Sequence, residues 1–191
     1  MKRLLLFASV LMIVSSVCAQ ATFSIGYINT SSTYKDDIMT ENDNYNGLLV
    51  GFDYNINLAG SFSVAPGLEM DFSFDKDEDV KYKEFGFFVP IDFNYGFELG
   101  SDVKLSVFAG PSLYMGLVAK EKGDMGEYDY YDDNQGNCSR FDLKLGGGAW
   151  VTLYDQFRLT ISYKAGLLDV CRYNSVTSKD NLLTISLGYI F

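Results

Sequence analysis

Residues 85–99 read FGFFVPIDFNYGFEL, and this stretch decides the fold. Every second residue from Phe85 to Leu99 is apolar, and most of these residues are aromatic, whereas Asp92 and Glu98 fall between them. Successive side chains of a β-strand point to opposite faces, so a period of two predicts a long strand that is apolar on one face.

The same alternation recurs along the rest of the chain. Seven further segments carry it: Phe23–Tyr27, Leu48–Leu58, Phe62–Phe72, Val103–Leu117, Phe141–Leu153, Phe157–Leu167 and Leu183–Phe191. Most of these segments reach the length of about 9–11 residues that a tilted membrane-spanning strand requires. The pattern predicts eight strands, and an even number is typical of bacterial outer-membrane barrels.

The connections between these strands are alternately short and long. Cross-strand partners must share a face, so the apolar positions predict the register of each tight turn. The expected partners, each pair leaving a three-residue turn, are Leu58 with Phe62, Leu99 with Val103, and Leu153 with Phe157. The long connections are polar and acidic, at residues 29–46, 75–83, 120–139 and 169–181. This arrangement predicts short periplasmic turns and long extracellular loops.

Two kinds of barrel share this pattern, and side-chain size separates them. A soluble barrel such as a lipocalin turns its apolar face inward. Here the apolar face carries the larger side chains, whereas the other face mixes Gly and Ser with charged residues. Large side chains fit outside a narrow barrel and small ones inside it. The sequence predicts an all-β fold: an eight-stranded antiparallel up-and-down transmembrane β-barrel, surrounded by lipid in the outer membrane of a Gram-negative bacterium.

The first nineteen residues differ from the rest of the chain. A basic pair at residues 2–3 precedes the almost wholly apolar residues 4–14, and residues 17–19 (VCA) form a small-residue cleavage signature. That order predicts a cleaved signal peptide at residues 1–19 and a barrel domain at residues 20–191. The apolar run is too short for a membrane-spanning helix, which needs about 20 residues.

A lipidated Cys18 is the alternative at this end of the chain. A lipoprotein signal normally carries a Leu-like residue three positions before the cysteine and a small residue just before it. Ser15 and Val17 stand at those positions, so the sequence favours cleavage without lipidation.

The last strand alternates to the final residue of the sequence. Its apolar positions are Leu183, Ile185, Leu187, Tyr189 and Phe191. The pattern resembles the C-terminal signal that outer-membrane barrels present to their assembly machinery, with Tyr189 and Phe191 as the expected signal residues. The alternative is a last strand that ends in Phe by coincidence.

The chain is acidic, with 25 Asp and Glu residues, 15 Lys and Arg residues, and a net charge of −10. Removal of the predicted signal peptide takes two basic residues and no acids, which leaves a net charge of about −12. Such a chain repels phosphate backbones, so we expect no nucleic-acid partner.

Histidine is absent from the sequence. Enzymes among outer-membrane barrels typically use His as general base, so we expect no enzyme and no catalytic residue. We also expect no metal and no cofactor. A carboxylate-only hydrolase is the alternative, but inward charges more often pair as a plug, and eight strands leave no room for a wide channel. The expected lumen charge network comprises Asp53, Glu69, Asp71, Asp92, Glu98, Lys104, Asp142, Lys144, Arg158 and Lys164.

Two cysteines, Cys138 and Cys171, follow the predicted cleavage site. Export places them in an oxidising compartment, where a disulfide can form. They lie at the loop ends of neighbouring strands, but the predicted register puts them on opposite faces. A Cys138–Cys171 disulfide is therefore expected only if the loops leave regular pairing there.

Two connections concentrate the acid, at residues 75–79 (DKDED) and 127–134 (EYDYYDDN). Neither has the Gly-punctuated spacing of a calcium loop, so solvated charge is expected. Tyr128, Tyr130 and Tyr131 interrupt the second run and could form a contact surface for a protein partner, because Tyr is favoured at interfaces.

Four short blocks resemble those of one family. Residues 89–92 (VPID), 108–112 (FAGPS) and 146–149 (GGGA) are similar to signature strands of the PorT-like outer-membrane barrels, and residues 163–168 (YKAGLL) resemble the family's Tyr-x-x-Gly-Leu strand. The resemblance to these PorT-like or OmpA-like small barrels covers nearly all of the predicted mature chain. It implies the fold and the membrane, and it implies little about activity, since PorT-like members include secretion-associated proteins.

Three functional hypotheses remain. The first is a non-enzymatic surface interaction or structural protein, with a plugged lumen and acidic loops that contact a partner. The second is a component of a secretion or envelope-assembly machine, as the PorT-like resemblance implies. The third is a small transport or ligand-binding barrel.

Overall fold

Antiparallel strands make up almost all of the computed structural model, which describes residues 19–35, 40–77, 80–123, 126–132, 138–171 and 177–191. Over these residues the strands are β1 (Ala19–Lys35), β2 (Thr40–Ala59), β3 (Phe62–Asp77), β4 (Val80–Glu98), β5 (Val103–Gly123), β6 (Gly126–Asp129), β7 (Phe141–Leu153), β8 (Phe157–Gly166) and β9 (Thr177–Ile190). None of the described residues forms a helix long and apolar enough to cross a membrane. The predicted signal peptide lies outside the described residues except for Ala19, which begins β1.

The strands close into a ring. Strands β1 to β5 pair in sequence order, β5 pairs onward with β7, β7 with β8, and β8 with β9, which pairs back with β1. Eight strands form the barrel wall, and the short β6 pairs with the loop end of β5. A closed ring satisfies the backbone hydrogen bonds of its strands, as hydrocarbon requires. The predicted eight-stranded antiparallel barrel is confirmed, with β6 as an addition inside the connection 120–139.

An apolar belt surrounds the barrel on its outer surface. Phe93 and Leu159 face outward with 58% and 54% of their surface exposed, whereas Asp71 and Ser162 on the inner face are buried. Contact with water would cost about 25 cal/mol for each Å² of such apolar surface, so the belt requires a hydrocarbon environment. The outward orientation predicted for the apolar face is confirmed. On the loop side, the belt ends on four of the strands at Tyr27, Leu48, Phe85 and Leu183.

The strands continue past the belt, which corrects the predicted loops. Strands β1 and β2 stay paired as far as Lys35 and Thr40, β5 reaches Gly123, and β9 begins at Thr177. Antiparallel backbone pairing needs no apolar side chains once two strands are in register, and polar strand extensions carry no apolar signal in the sequence. The connections shortened in this way are those predicted at 29–46, 75–83, 120–139 and 169–181.

Two of the three predicted turn registers are confirmed. These are the pairs Leu99 with Val103 and Leu153 with Phe157. The third prediction is wrong, because Ala59 rather than Leu58 pairs with Phe62, across a turn of Gly60 and Ser61. The ladder is irregular between Asn57 and Ala59, and such a bulge adds a residue that alternation alone does not reveal.

Strand β5 changes phase near its loop end. The pairing with β4 passes over Leu117, which is an extra residue in β5. Leu117 and Val118 both face outward, and Ala119 then turns inward and is buried. A β-bulge redirects the side chains that follow it, so this one aims the loop end of β5 at the barrel mouth.

Candidate functional site

Inside the belt, two carboxylates on β2 and β3 meet cations on β8. The Arg158 guanidinium donates two hydrogen bonds to the Asp53 carboxylate, one of them 3.0 Å long. The same guanidinium lies 4.8 Å from the centre of the Trp150 ring. Lys164 Nζ lies 3.4 Å from Glu69 Oε2. These contacts join β8 to β2 and β3 across the lumen. Loss of either partner would leave an uncompensated buried charge, which is costly.

Four more residues of the predicted network lie on the inner face. Lys144 Nζ donates to Asp142 Oδ2 at 2.6 Å, and the two side chains are 1% and 0% exposed. Asp71 is buried, and neither Asp71 Oδ1 nor Asp92 Oδ1 has a hydrogen-bond partner among the described residues. The ion pairs therefore engage only some of the carboxylates on the inner face.

Lys104 and Glu98, the last two residues of the predicted network, belong to the short-turn rim instead of the interior. Lys104 Nζ pairs with Asp155 of the β7–β8 turn at 2.9 Å, and Glu98 is exposed. Both residues line a cavity of about 310 Å³ at this end. Both residues stand next to a tight turn, at the open end of the barrel. Their positions face inward, and at this end of the strands an inward position lies on the rim.

An apolar cluster adjoins the ion pairs of Arg158 and Lys164, which we term the lower ion pairs: Phe88 is the strand partner of Glu69, and Leu182 is that of Lys164. The cluster consists of Ile28, Leu49, Phe88, Tyr114 and Leu182. The rings of Phe88 and Tyr114 lie 4.6 Å apart. The sequence pattern predicted small or charged residues on the inner face and did not indicate this cluster. The consecutive residues Phe87 and Phe88 indicate a large side chain on the inner face, because two successive residues of a strand place their side chains on opposite faces.

Beyond the apolar cluster, at the loop end, lies a cavity of about 40 Å³, which we term the mouth cavity. Its lining includes Tyr34, Tyr82, Glu84, Tyr114, Tyr130, Tyr131, Ser178 and Asp180. These residues come from β1, β4, β5 and β9 and from the segment after β6. The mouth cavity therefore exists because the strands continue past the belt.

Two tyrosines hold the Glu84 carboxylate in the mouth cavity. Tyr114 OH donates to Glu84 Oε1 at 2.6 Å, and Tyr82 OH donates to Oε2 at 3.1 Å. A glycine at position 86 makes room for the Tyr114 ring, since any Cβ there would collide with it. The predicted strand begins at Phe85 and therefore leaves out Glu84. Continuing the period of two backward from Phe85 would have put both Glu84 and Tyr82 on the inner face.

The segment after β6 folds over the mouth cavity. Tyr131 packs against Gly116, where any Cβ would collide with the tyrosine hydroxyl, and the Arg140 guanidinium lies 4.6 Å from the centre of its ring. Tyr130 also lines the cavity, whereas Tyr128 remains 41% exposed. Two of the three tyrosines of the predicted contact surface thus line the mouth cavity.

Asp180 brings a second carboxylate to the mouth cavity. Ser32 Oγ donates to Asp180 Oδ1 at 2.7 Å, while Lys144 Nζ donates to the Asp180 backbone carbonyl at 2.8 Å. Burial raises the pKa of the Asp180 carboxyl, and the nearby charge of Lys144 partly opposes this rise. Among the described residues, no Lys or Arg nitrogen lies within 4.0 Å of the Glu84 or Asp180 carboxylates.

A disulfide between Cys138 and Cys171 forms part of the cavity wall. The two Cα atoms lie 4.2 Å apart, in an isolated antiparallel bridge. The expectation that the cysteines lie on opposite faces is wrong, because this bridge is shifted by one residue from the regular β7–β8 ladder. The bond ties the connection after β6 to the connection after β8.

The polar groups that line the mouth cavity are carboxylates and hydroxyls, and its aromatic groups are tyrosine rings. Within the described ranges, no group of three or more His, Cys, Asp or Glu side chains is arranged to hold a metal ion. Carboxylates and hydroxyls accept hydrogen bonds, and tyrosine rings attract cations through their faces.

Comparison with known proteins identifies the type of barrel. Residues 5–191 match the model of the outer membrane protein β-barrel domain family. One similar solved structure is that of Ail, the attachment invasion locus protein of Yersinia pestis, in complex with the heparin analogue sucrose octasulfate. Its sequence is 18% identical to this chain. The match covers 91% of this chain and 99% of that chain, with a TM-score of 0.52. Neisserial surface protein A (NspA) is 14% identical and covers 88% of this chain and 97% of that chain, with a TM-score of 0.47. No curated protein sequence matches the chain. At this identity, the likeness to Ail concerns the fold alone.

Proposed function

Because this chain belongs to the outer membrane protein β-barrel domain family, and is an outer-membrane β-barrel of a Gram-negative bacterium, we propose that it is a non-enzymatic surface interaction protein. The observation that carries the proposal is the contrast between a lumen filled inside the belt and a mouth built from strands that continue beyond it. The barrel is the anchor, and the loop end is the contact region.

Filling of the lumen supports the exclusion of a transport role. The ion pairs of Arg158 and Lys164 and the adjoining apolar cluster fill much of the interior. The cavity beside the lower ion pairs has a volume of only about 30 Å³. A narrow eight-stranded barrel normally fills its interior with side chains in this way.

The chemistry of the inner face supports a non-enzymatic role. The sequence contains no histidine, so the usual general base of hydrolytic barrels is missing. Asp53, Glu69 and Asp142 are engaged by cations, and Glu84 is engaged by two phenols. These four carboxylates are therefore engaged in contacts within the barrel.

The charge of the chain indicates what kind of partner the loop end accepts. Ail was crystallised with a heparin analogue, which is a polyanion. This chain has a net charge of −10, and such a surface repels polyanions and attracts cationic groups. We therefore assign a cationic surface or protein as the partner, and the sulfated ligand of Ail does not carry over.

A planar-bilayer recording tests the filled lumen. The purified full-length protein is inserted into the bilayer, and an open porin added afterwards verifies that the bilayer reports channels. We expect no unitary current steps before the porin is added. Reproducible steps from this protein alone would favour the transport hypothesis instead.

Adhesion of whole cells tests the partner class. Cells that display the barrel and matched cells without it are applied to surfaces coated with poly-L-lysine, heparin or neutral dextran. We expect the barrel to increase retention on poly-L-lysine only, with an effect that weakens as salt screens the charges. Preferential retention on heparin would contradict the proposed charge preference.

The second candidate function is a component of a secretion or envelope-assembly machine. The four blocks that resemble PorT-like strands favour it. It requires a stable protein partner, which a pull-down of the tagged barrel from mild detergent would recover in stoichiometric amount. Recovery of the barrel alone under those conditions would leave the surface interaction role as the better account.

A further inference from the structure

The mouth cavity combines two carboxylates with aromatic walls at the end of the barrel that faces the outside. We propose that it binds a primary ammonium group on a short aliphatic stem. The inference deepens the proposed surface role and rests on it. The group could belong to a free alkylamine or to a lysine side chain, and both sources offer the same chemistry.

Charge is the first reason. Asp71, Glu84, Asp142 and Asp180 lie around the loop-side half of the lumen, and in the part of the chain that the structure describes Lys144 is the cation among them. Lys144 donates to Asp142 and to the backbone carbonyl of Asp180, so the carboxylates of Glu84 and Asp180 have no cationic donor among the described residues. An added monocation would offset part of this acid excess in a partly dehydrated site, where a charge interaction is stronger than in water.

An unpartnered hydroxyl is the second and independent reason. Ser178 lines the mouth cavity and is 1% exposed, yet its Oγ has no hydrogen-bond partner among the described residues. Its backbone is fixed, because Ser178 N donates to Asp169 Oδ1 at 2.8 Å and its carbonyl accepts from Val170 N at 2.9 Å. Buried polar groups are normally hydrogen-bonded, so a rigidly placed hydroxyl without a partner points to a ligand that supplies one.

The aromatic walls select the form of the cation. Five tyrosines line the mouth cavity, and the ammonium of Lys144 lies 5.7 Å from the centre of the Tyr114 ring. Ring faces attract a cation and also pack against an aliphatic stem. A cavity of about 40 Å³ suits a small head group. A primary ammonium has three N–H donors for Asp180, Glu84 and Ser178, whereas a quaternary ammonium has none.

Titration calorimetry on the full-length protein in nanodiscs tests the proposal. The probes are n-butylamine, a short lysine-containing peptide, tetramethylammonium chloride and calcium chloride, all at neutral pH. We expect saturable binding of n-butylamine and much weaker binding of tetramethylammonium and calcium. Binding of the peptide would identify a lysine side chain as a competent source, and its exclusion would leave the free amine.

Two variants locate the site. Asp180→Asn keeps the acceptor for Ser32 but removes the charge, and we expect it to weaken n-butylamine binding about tenfold, the worth of one charge-assisted hydrogen bond. Because burial raises the pKa of Asp180, its ionised form opposes folding at neutral pH, so the variant should be at least as stable as the wild type. Glu127→Gln is the matched control, since it removes an exposed acid outside the cavity and should leave binding unchanged.

The proposal is overturned if n-butylamine shows no saturable binding, if tetramethylammonium binds equally well, or if Asp180→Asn binds like the wild type. Any of these results leaves the surface interaction role intact, because that role is tested separately by conductance and by adhesion. Failure of those two tests alongside tight amine binding would instead indicate a small-ligand receptor.

Discussion

The lower lumen and the mouth cavity use the same residue types in opposite ways. In the lower lumen, Arg158 meets Asp53 and Lys164 meets Glu69, so two carboxylates have cations of their own. At the mouth, Glu84 and Asp180 accept hydrogen bonds from hydroxyl groups. The difference teaches that charge balance, and not the mere presence of charge, separates a structural interior from a candidate binding site.

The largest expected effect comes from breaking the lower pair. Arg158→Ala leaves the Asp53 carboxylate without its cation in the lumen, and we expect the free energy of unfolding to fall by about 3–5 kcal/mol. Urea titration of the barrel refolded in lipid vesicles measures it, with the loss of heat-modified gel migration as the readout. Lys179→Ala, at an exposed position on β9, is the control and should change stability by no more than about 0.5 kcal/mol. Equal effects of the two variants would mean that the lower lumen is not a structural interior.

The next effect concerns the disulfide in the wall of the mouth cavity. Replacing Cys138 and Cys171 together by Ser removes a cross-link between residues 33 apart in sequence, and we expect a loss of about 2–4 kcal/mol. The same urea titration measures it. A reductant should destabilise the wild type to a similar degree and leave the double variant unchanged. A double variant as stable as the oxidised wild type would show that the disulfide does not stabilise the fold.

A smaller effect is expected where the segment after β6 rests on the barrel. Gly116→Ala adds a Cβ that collides with the Tyr131 hydroxyl, and we expect a loss of about 1 kcal/mol because a flexible ring tip can move away. Gly100→Ala is the matched control, since a Cβ there meets no atom within 4 Å. Tyrosine fluorescence and the urea midpoint report the two changes. A wild-type spectrum and midpoint for Gly116→Ala would show that Tyr131 does not pack there.

The smallest effect lies outside the belt, on the surface pair of Lys120 and Glu127 at 2.7 Å. A hydrogen bond from Lys120 lowers the pKa of Glu127, so the contribution of the pair is present at neutral pH and lost as the pH falls through that lowered pKa. Lys120→Ala should raise the pKa of Glu127 toward its ordinary value, as NMR of the side-chain carboxyl would measure. The urea midpoint should not move measurably, since exposed pairs contribute little. If the pKa of Glu127 stays low in the Lys120→Ala variant, a group other than Lys120 lowers it.

Much of this architecture follows from alternation alone. The period of two over Phe85–Leu99 predicts the apolar face, and a narrow barrel that cannot enclose so many large side chains predicts that the face turns outward. Two of the three tight turns also follow from matching registers. The first turn does not, because the irregularity at Leu58 adds a residue that alternation cannot reveal.

The mouth cavity was harder to predict for a physical reason. Strand pairing continues beyond the belt through residues whose outward faces are polar, so the apolar signal that marks a strand is absent there. Glu84 and Asp180 fell just outside the predicted strands, although the period of two continued from Phe85 and Leu183 places both of them inward. The loop segment that carries Tyr131 follows no period, and only the structure brings it against Gly116.

The central claim is that the apolar face meets lipid while the charged face fills a closed lumen, and Trp150 tests it most directly. It is the only tryptophan of the chain, it is 7% exposed, and it lies between Phe108 and the Arg158 guanidinium in the lumen. We predict that brominated lipid quenches its fluorescence far less than it quenches the tryptophan of a Trp150→Phe, Leu159→Trp double variant, because position 159 lies on the outward face. Stronger lipid quenching of Trp150 than of the tryptophan at position 159 would contradict the account, because the barrel would then be inside out.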